Sequence, residues 1–562
     1  MLRFAQRRSR KGDAIHGDTP PHSWYIMTAR VTLAGTRRAL LPNSRPAGPI
    51  DPGEVASLTV RTRSRGDLAA LEQHARAQAS LPLSQRAYLT HAELEDAYGS
   101  RAEDLDLVEQ LAHEHDISVT ERSAASRCIV LHGRLGDLLN LFPAQLQMYH
   151  HSSGTYRGRQ GEILMPKALD GIVTGIFGFD TRRRRRHSLR GYRAVASLAA
   201  ADGVPATTYA KRYDFPEAHQ GRTLDGSGQT IAIIELGGGF RGSDLKVYFQ
   251  EIAIAQPNVS RVVVDRAPHA PTTADSADGE VMLDIEVAGA VVPKAKIVVY
   301  FAPNNGDQGF IDGISAAVHD RERKPGVISI SWGSPESTTD QQGIAAFHEV
   351  FVAAAALGIT VCAASGDHGT ADEDAADWDG KIHVDHPAVD DFVIGCGGTQ
   401  IDSNGNDVVW NDGTAFDTNV AGGGGWAGGG GISQVFPVPN YQQNARLPVS
   451  IVSRAAGRGV PDIAMSATNY FTRVDGEEGA AGGTSAVAPL MSALIVRLNQ
   501  AMQKNVGFLN PWLYANAGVV AHDVTQGTNA LANTVQGYSA GAGWDACSGL
   551  GTPIGTAILG KL

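Results

Sequence analysis

The run Gly482-Gly483-Thr484-Ser485-Ala486-Val487-Ala488-Pro489 carries the strongest chemical signal in this sequence. Two glycines deliver the chain to a serine that opens a helix predicted over 486–500, and Pro489 falls in its first turns, where a missing N–H is harmless. A hydroxyl there is exposed at the helix end whose dipole favours negative charge developing beside it, as at a nucleophile. An ordinary N-cap serine has the same pattern, so the motif alone leaves both readings open. A nucleophile needs a base. In Asp278-Gly279-Glu280-Val281-Met282-Leu283-Asp284-Ile285-Glu286-Val287-Ala288, Glu280 and Asp284 are four residues apart and share one face of a helix. That face continues through Val287, Ala288 and Val291, so two carboxylates head an apolar stripe. Half-buried, they titrate as a pair with one pKa raised, which gives a general base that works in acid. A solvated acidic first turn is the structural alternative.

The serine motif is similar to the nucleophile signature of subtilisin-like peptidases, whose base is a histidine. His368-Gly369-Thr370 looks like their histidine motif, but it follows a strand late in the sheet instead of opening an early helix. Between residues 231 and 292 the sequence offers only His269, in a Pro-rich loop. The strand before His368 ends Ala363-Ala364-Ser365-Gly366-Asp367, an acid where subtilisins carry an oxyanion-stabilising Asn.

Positioning these residues requires a large α/β body. Apolar, β-branched runs at 230–236, 296–301, 326–331, 360–364 and 392–396 alternate with helical patterns at 244–253, 280–292, 309–319 and 342–357. That alternation predicts a parallel sheet with helices on both faces, here spanning 193–562. Ahead of it, strand patterns near 55–60 and 127–132 and helical patterns at 67–79, 102–115 and 135–142 predict a small α+β domain over 54–180. Residues 1–53, rich in Arg, Pro and Gly without periodicity, read as a disordered leader. The connection 181–192 holds five consecutive arginines, Arg182 to Arg186, which no core takes up; it reads as a solvated linker and a processing site at once. The glycine run 422–431, interrupted by Trp426 and Ala427, reads as a mobile loop near a cleft, and Gly237-Gly238-Gly239 lacks the spacing of a dinucleotide loop.

Composition narrows the function classes. With 562 residues, 43% hydrophobic and 19% charged, the chain is soluble and globular with room for two to four domains. Its apolar stretches, such as 172–179 and 297–302, fall far short of the roughly 18 residues of a membrane span. Residues 1–190 carry 27 Lys and Arg against 20 Asp and Glu, whereas the rest carries 21 against 39. A body this acidic repels nucleic acid, and it suits work in acid, where protonation removes the self-repulsion. Cys128, Cys362, Cys396 and Cys547 show no CxxC or metal-ligand spacing and read as buried thiols with one bridge at most. The basic N-terminus has no apolar signal-peptide core.

Together, Ser485 in GGTSAVAP, Glu280 and Asp284 in GEVMLDIEVAGA and Asp367 in AASGDHG resemble the sedolisin family of serine-carboxyl peptidases, in its kumamolisin-like branch, from about residue 54 to the C-terminus. The resemblance implies Ser485 as nucleophile, Glu280 as general base and then acid, and Asp284 as its orienting partner. It implies a protonated Asp367 that donates to the oxyanion beside the Ser485 N–H, hence an acidic pH optimum. Glu235 and Trp332 are implied as further members of the carboxylate network, and Ser331 to Gly333 as cleft lining. Asp385 in His383-Val384-Asp385-His386-Pro387 favours a basic substrate side chain, or is a solvated loop acid. In the C-terminal segment, two carboxylates and glycine-flanked carbonyls are what a hard cation requires. The resemblance implies one structural Ca2+ held by the side chains of Asp523 and Asp545 and the carbonyls of Val524, Gly541 and Gly543. It further implies a subtilisin-like fold and a ferredoxin-like prodomain over 54–180 that inhibits the cleft until 181–192 is cut. The expected product is a self-activating, extracellular endopeptidase of acid media acting on proteins or peptides, with no nucleic-acid or membrane partner. His368 departs from the family pattern, which has small residues after the acid. Two other readings remain: a Ser-His-Asp peptidase near neutral pH, which needs an early-helix histidine, and a degenerate binding module, which predicts the loss of at least one of the four positions.

Overall fold

A computed structural model describes residues 29–562 apart from 153, 184–185, 188–189, 196–202, 275, 419–423 and 533–534. The small first domain is built on strand β1 (Val55–Thr62), helices α1 (Leu68–Ser80) and α2 (Ala102–His113), and strands β2 (Ser118–Ser123), β3 (Cys128–Arg134) and β4 (Val173–Phe177). The strands form an antiparallel sheet in the order β2-β3-β1-β4. Leu58 and Val60 of β1 and Leu131 of β3 share a core with Leu105 and Val108 of α2.

The segment read as a leader is structured from residue 29 onward. Arg30–Thr32 pairs with Leu164–Pro166, and Arg45–Gly48 pairs with Gln145–His151. Arg38 reaches the second domain and pairs with Asp307 at 2.9 Å. Strand pairing and a buried ion pair need no hydrophobic periodicity, which is why the sequence pattern misses them. Residues 1–28 lie outside the described residues.

Two short linker strands follow, β5 (Arg186–His187) and β6 (Arg190–Val195). The second domain then runs through β7 (Thr230–Glu235), β8 (Asn258–Val263), α3 (Asp278–Val291), β9 (Lys296–Phe301), α4 (Asp307–Val318), β10 (Val327–Ile330), β11 (Trp332–Pro335), α5 (Gln341–Ala356), β12 (Thr360–Ala364), β13 (Asp385–His386), β14 (Ile394–Ile401), β15 (Asp407–Val409), β16 (Ile463–Ser466), β17 (Tyr470–Val474), β18 (Glu477–Gly482) and α6 (Thr484–Met502). Its eight-stranded sheet has the order β8-β9-β7-β10-β12-β14-β15, with β16 also on β14, and every pairing is parallel except β14 with β15.

The apolar strands are continuous because both faces are covered. In β7, Ile231 and Ile233 join Leu283 and Val287 of α3 and Leu490 and Leu494 of α6, while Ala232 and Ile234 join Phe310 of α4 and Phe347 of α5. Helix α3 is buried on every side, not on one stripe. The first domain docks on α4 and α5: Thr59 Oγ1 donates to Asp312 Oδ2 at 2.5 Å, and Arg159 pairs with Asp340 at 2.8 Å. Such buried pairs add little net stability, but losing one partner strands a buried charge, so they fix the docked register. All four cysteines are buried free thiols, and among the described residues no helix is long and apolar enough to cross a membrane.

Candidate active site

Ser485 lies in the first turn of α6 and is fully buried beneath the linker and its surroundings. Gly483 just before it has φ of 119°, a conformation that glycine adopts without strain. Ser485 Oγ donates to the Ser331 carbonyl at 3.4 Å, and Ser331 Oγ lies 3.2 Å from the Ser485 carbonyl.

Helix α3 packs along α6 and presents Glu280 and Asp284, one turn apart, to this corner. The Ser485 hydroxyl lies on the Glu280 side of this corner, close enough to favour the charged form of its carboxyl. Ser331 Oγ lies 2.9 Å from both oxygens of Asp284. Adjacent strands β7 and β10 end side by side, which brings Glu235 against Trp332, whose Nε1 donates to Glu235 Oε2 at 2.8 Å. Burial pushes Glu280 well above the usual carboxylate range, Asp284 and Glu235 push it further, and the Ser485 hydroxyl opposes them. Asp284 is raised by burial against the pull of Ser331. Glu235 is raised by burial and then by Asp284, with Trp332 opposing. The other acids of α3 face elsewhere: Asp278 accepts from Thr272 and Glu286 from the Arg473 N–H.

Asp367 follows β12. The N–H and Oγ1 of Thr484 both donate to its Oδ1 at 2.7 Å. Thr484 is a contributor that the sequence reading did not single out, although it stands inside the serine motif. The described part of the glycine run is a strap behind this strand and not a mobile loop. Ala427 N donates to Asp367 O at 2.8 Å, Gly429 N to Gly366 O at 2.7 Å, and Ser365 Oγ to Gly429 O at 2.9 Å. A Cβ at residue 429 would stand 2.0 Å from Ser365 O, so the approach needs glycine. Residues 419–423 of the run lie outside the described residues. His368 pairs with Asp374 at 2.9 Å and packs on Trp426. His269 packs against Phe240 and Phe301, and its Nε2 accepts from Phe240 N.

The linker crosses this corner. β5 pairs antiparallel with β11, Arg186 opposite Gly333 and His187 opposite Trp332. β6 pairs antiparallel with β18, Arg190 opposite Gly482. One pairing thus precedes the Ser485 turn and the other follows it. Asp385 is buried with its carboxylate under Gly333: a Cβ there would stand 2.2 Å from Asp385 Oδ1.

The C-terminal candidates also converge. Gly543 N donates to Asp523 Oδ2 at 2.8 Å and Gly541 N to Asp545 Oδ2 at 3.2 Å, while Ser548 Oγ lies 3.5 Å from the Val524 carbonyl. Burial raises Asp545, opposed by the N–H groups of Cys547 and Ser548. An oxygen-only donor set of two carboxylates on glycine turns fits a hard divalent cation.

Comparison with known proteins gives this geometry a family. The profile described as "Pro-kumamolisin, activation domain" matches residues 42–182, and "Subtilase family" matches residues 267–538. Kumamolisin from Bacillus sp. is 40% identical over 96% of this chain and 97% of its own length. Sedolisin from Pseudomonas sp. is 27% identical over 75% of this chain and 72% of its own. The solved Pseudomonas sedolisin, a serine-carboxyl proteinase complexed with two molecules of pseudo-iodotyrostatin, superimposes with a TM-score of 0.55 at 27% identity, covering 64% of this chain and 98% of that one. With an activation domain ahead of a subtilisin-like peptidase domain, and kumamolisin matched over nearly its whole length, this chain belongs to the sedolisin family of serine peptidases, in its kumamolisin-like branch.

Proposed function

We propose that the chain is an acid-acting serine-carboxyl endopeptidase that activates itself by cutting its own linker. The observation that carries this reading is the strand pairing of the linker on both sides of Ser485. A cleft that admits a chain continuing in both directions suits internal bonds. The linker's pairing with β11 ends at His187 opposite Trp332 and its pairing with β18 begins at Arg190 opposite Gly482, and the carbonyl of Ser331, next to Trp332, stands 3.4 Å from Ser485 Oγ. The first cut therefore falls between His187 and Arg190, just after the arginines. Until then the domain over 54–180, with its N-terminal extension, holds the linker in place as an inhibitor.

In the reaction, Ser485 Oγ attacks the scissile carbonyl while Glu280 takes its proton, oriented through the network of Asp284, Ser331, Glu235 and Trp332. The oxyanion accepts hydrogen bonds from the Ser485 N–H and from the protonated carboxyl of Asp367. Both Thr484 bonds fall on Oδ1, so that proton belongs on Oδ2. Glu280 then protonates the leaving amine, and water attacks the acyl-enzyme with Glu280 again as base. Asp385 beneath Gly333 favours a basic side chain near the bond to be cut. Ca2+ bound by Asp523, Asp545 and the carbonyls of Val524, Gly541 and Gly543 would tie the C-terminal loops together by neutralising their carboxylates. The chemistry suits an acidic medium outside the cell.

Moving the purified chain from pH 7 to about pH 4 is expected to release a fragment ending between residues 187 and 190, seen by intact mass, together with cleavage of end-blocked peptides. A chain that stays whole in acid, or is cut only far from 187–190, overturns the reading. For the cation, chelation is expected to lower the Tm of the matured enzyme by roughly 3–6 °C, and Asp545→Asn to remove that response. A Tm indifferent to chelator rules the ion out.

A further inference from the structure

The acidic loop between β12 and β13 is not accounted for by the chemistry at Ser485. Residues 371–385 carry six acids, Asp372, Glu373, Asp374, Asp377, Asp379 and Asp385, against one lysine, Lys381. Their neighbours separate them. Asp374 pairs with His368 beside the Asp367 strand, and Asp379 is held by His383 at 2.9 Å and Lys381 at 3.2 Å. Asp372 lies against Gly366, and Asp385 beneath Gly333. Glu373 and Asp377, with Asp379 held by its own partners, line one cavity with Pro335 and Thr338, just past the end of β11.

The same cavity is lined by Arg183 of the linker. The antiparallel register explains why. Arg186 pairs with Gly333, and β11 continues through Ser334 to Pro335 at the wall of that cavity. The run upstream of Arg183 is anchored elsewhere, because Arg182 is buried on Asp180 and donates to Ala39 O. The activation domain contributes His151 and Ser152, which contact Asp377 at the same place and leave with it. An acidic wall, an arginine of the chain's own substrate-like segment lining it, and partners that depart on activation together specify an occupant.

Resting on the cleft reading of the linker, we propose that Glu373 and Asp377 form a specificity subsite for basic side chains upstream of the cut bond, at the place of Arg183. The matured enzyme then selects internal segments with an arginine upstream of the cut, and the five-arginine linker is its own best substrate. Each exposed ion pair multiplies affinity by about two- to fivefold, so pairs with both acids give roughly a tenfold preference.

The test compares two peptides on the matured enzyme: residues 182–195 of this chain, and the same peptide with Arg183 replaced by Gln. The arginine peptide is expected to show a kcat/KM about tenfold higher, carried by KM. In the Glu373→Gln/Asp377→Asn double variant the two peptides are expected to converge within about twofold, with cleavage of the Gln peptide unchanged. Equal cleavage of both peptides by the parent enzyme, or a preference that survives in the double variant, overturns the subsite while leaving the peptidase reading intact. Cleavage of neither peptide removes the cleft reading and the subsite with it. If the double variant fails to mature, Asp377→Asn alone read by the same ratio decides, a ratio equal to the parent's counting against the proposal.

Discussion

A Glu280→Gln zymogen is expected to remain uncut at about pH 4 and, once matured in trans, to show kcat/KM lowered by about 10^4-fold, the scale of a lost general base. Ser485→Ala is expected to lose processing altogether. The Glu280 substitution has a second, opposite signature in stability. Burial, Asp284 and Glu235 hold the Glu280 pKa well above its ordinary value. A carboxyl whose folded-state pKa is raised binds its proton more tightly in the folded chain, so its contribution to stability is greatest below the unfolded value and declines as pH rises above it. A neutral amide has no such decline. Glu280→Gln is therefore expected to melt higher than the parent at pH 7 and close to it at pH 3. A variant that is inactive and also less stable at pH 7 would show that Glu280 acts as a structural partner and not as a strained base.

In the proposed activation, acid is expected to act through the cleft more than through the docked interface. Glu72 of α1 is held down to about 2 by hydrogen bonds from His348 and Arg76 against its burial. Its contact favours docking above about pH 4.5 and fades as the pH falls toward 2. Asp312, beneath Thr59, is raised by burial and by Asp265, so its proton is taken up on docking and this contact strengthens in acid. With interface groups pulling in opposite directions, an acid trigger is expected at the groups around Ser485, with release of the first domain after the cut.

Much of this was legible in the sequence because the chemistry is local. Glu280 and Asp284 are one helical turn apart, and Ser485 sits in an eight-residue motif. The parallel sheet was legible because a strand covered on both faces is apolar throughout, as β7 is from Ile231 to Ile234. What escaped was non-local. The N-terminal strands beside residues 145–151 and 164–166 carry no pattern of their own, since their partners lie more than 100 residues away. The glycine run reads as loose until Ser365 and Gly366 supply its partners. The one-stripe view of α3 failed because α6 and β17 both cover it, leaving Glu286 to be satisfied by a backbone N–H.

Asp367 gives the last large effect. Oδ1 already accepts two hydrogen bonds from Thr484, so an asparagine keeps both on its Oδ1 and offers an N–H where the acid offers its proton. Asp367→Asn is expected to stay within about tenfold of the parent at pH 4, whereas Asp367→Ala, which removes the donor, should lose about 10^2- to 10^3-fold. The two differ most at higher pH. Ionisation of Asp367 removes the donor and sets a negative charge near Glu280 and the developing oxyanion, so in the parent kcat/KM falls as that proton leaves. An amide does not ionise. The basic limb of the kcat/KM profile is thus expected to move up by at least one pH unit in Asp367→Asn, with activity above the parent's at pH 7. The acid limb, set by ionisation of Glu280, should stay near its original place, because residue 367 is neutral there in both proteins. A basic limb unmoved by the substitution would assign the loss at neutral pH to the Glu280, Asp284 and Glu235 network instead.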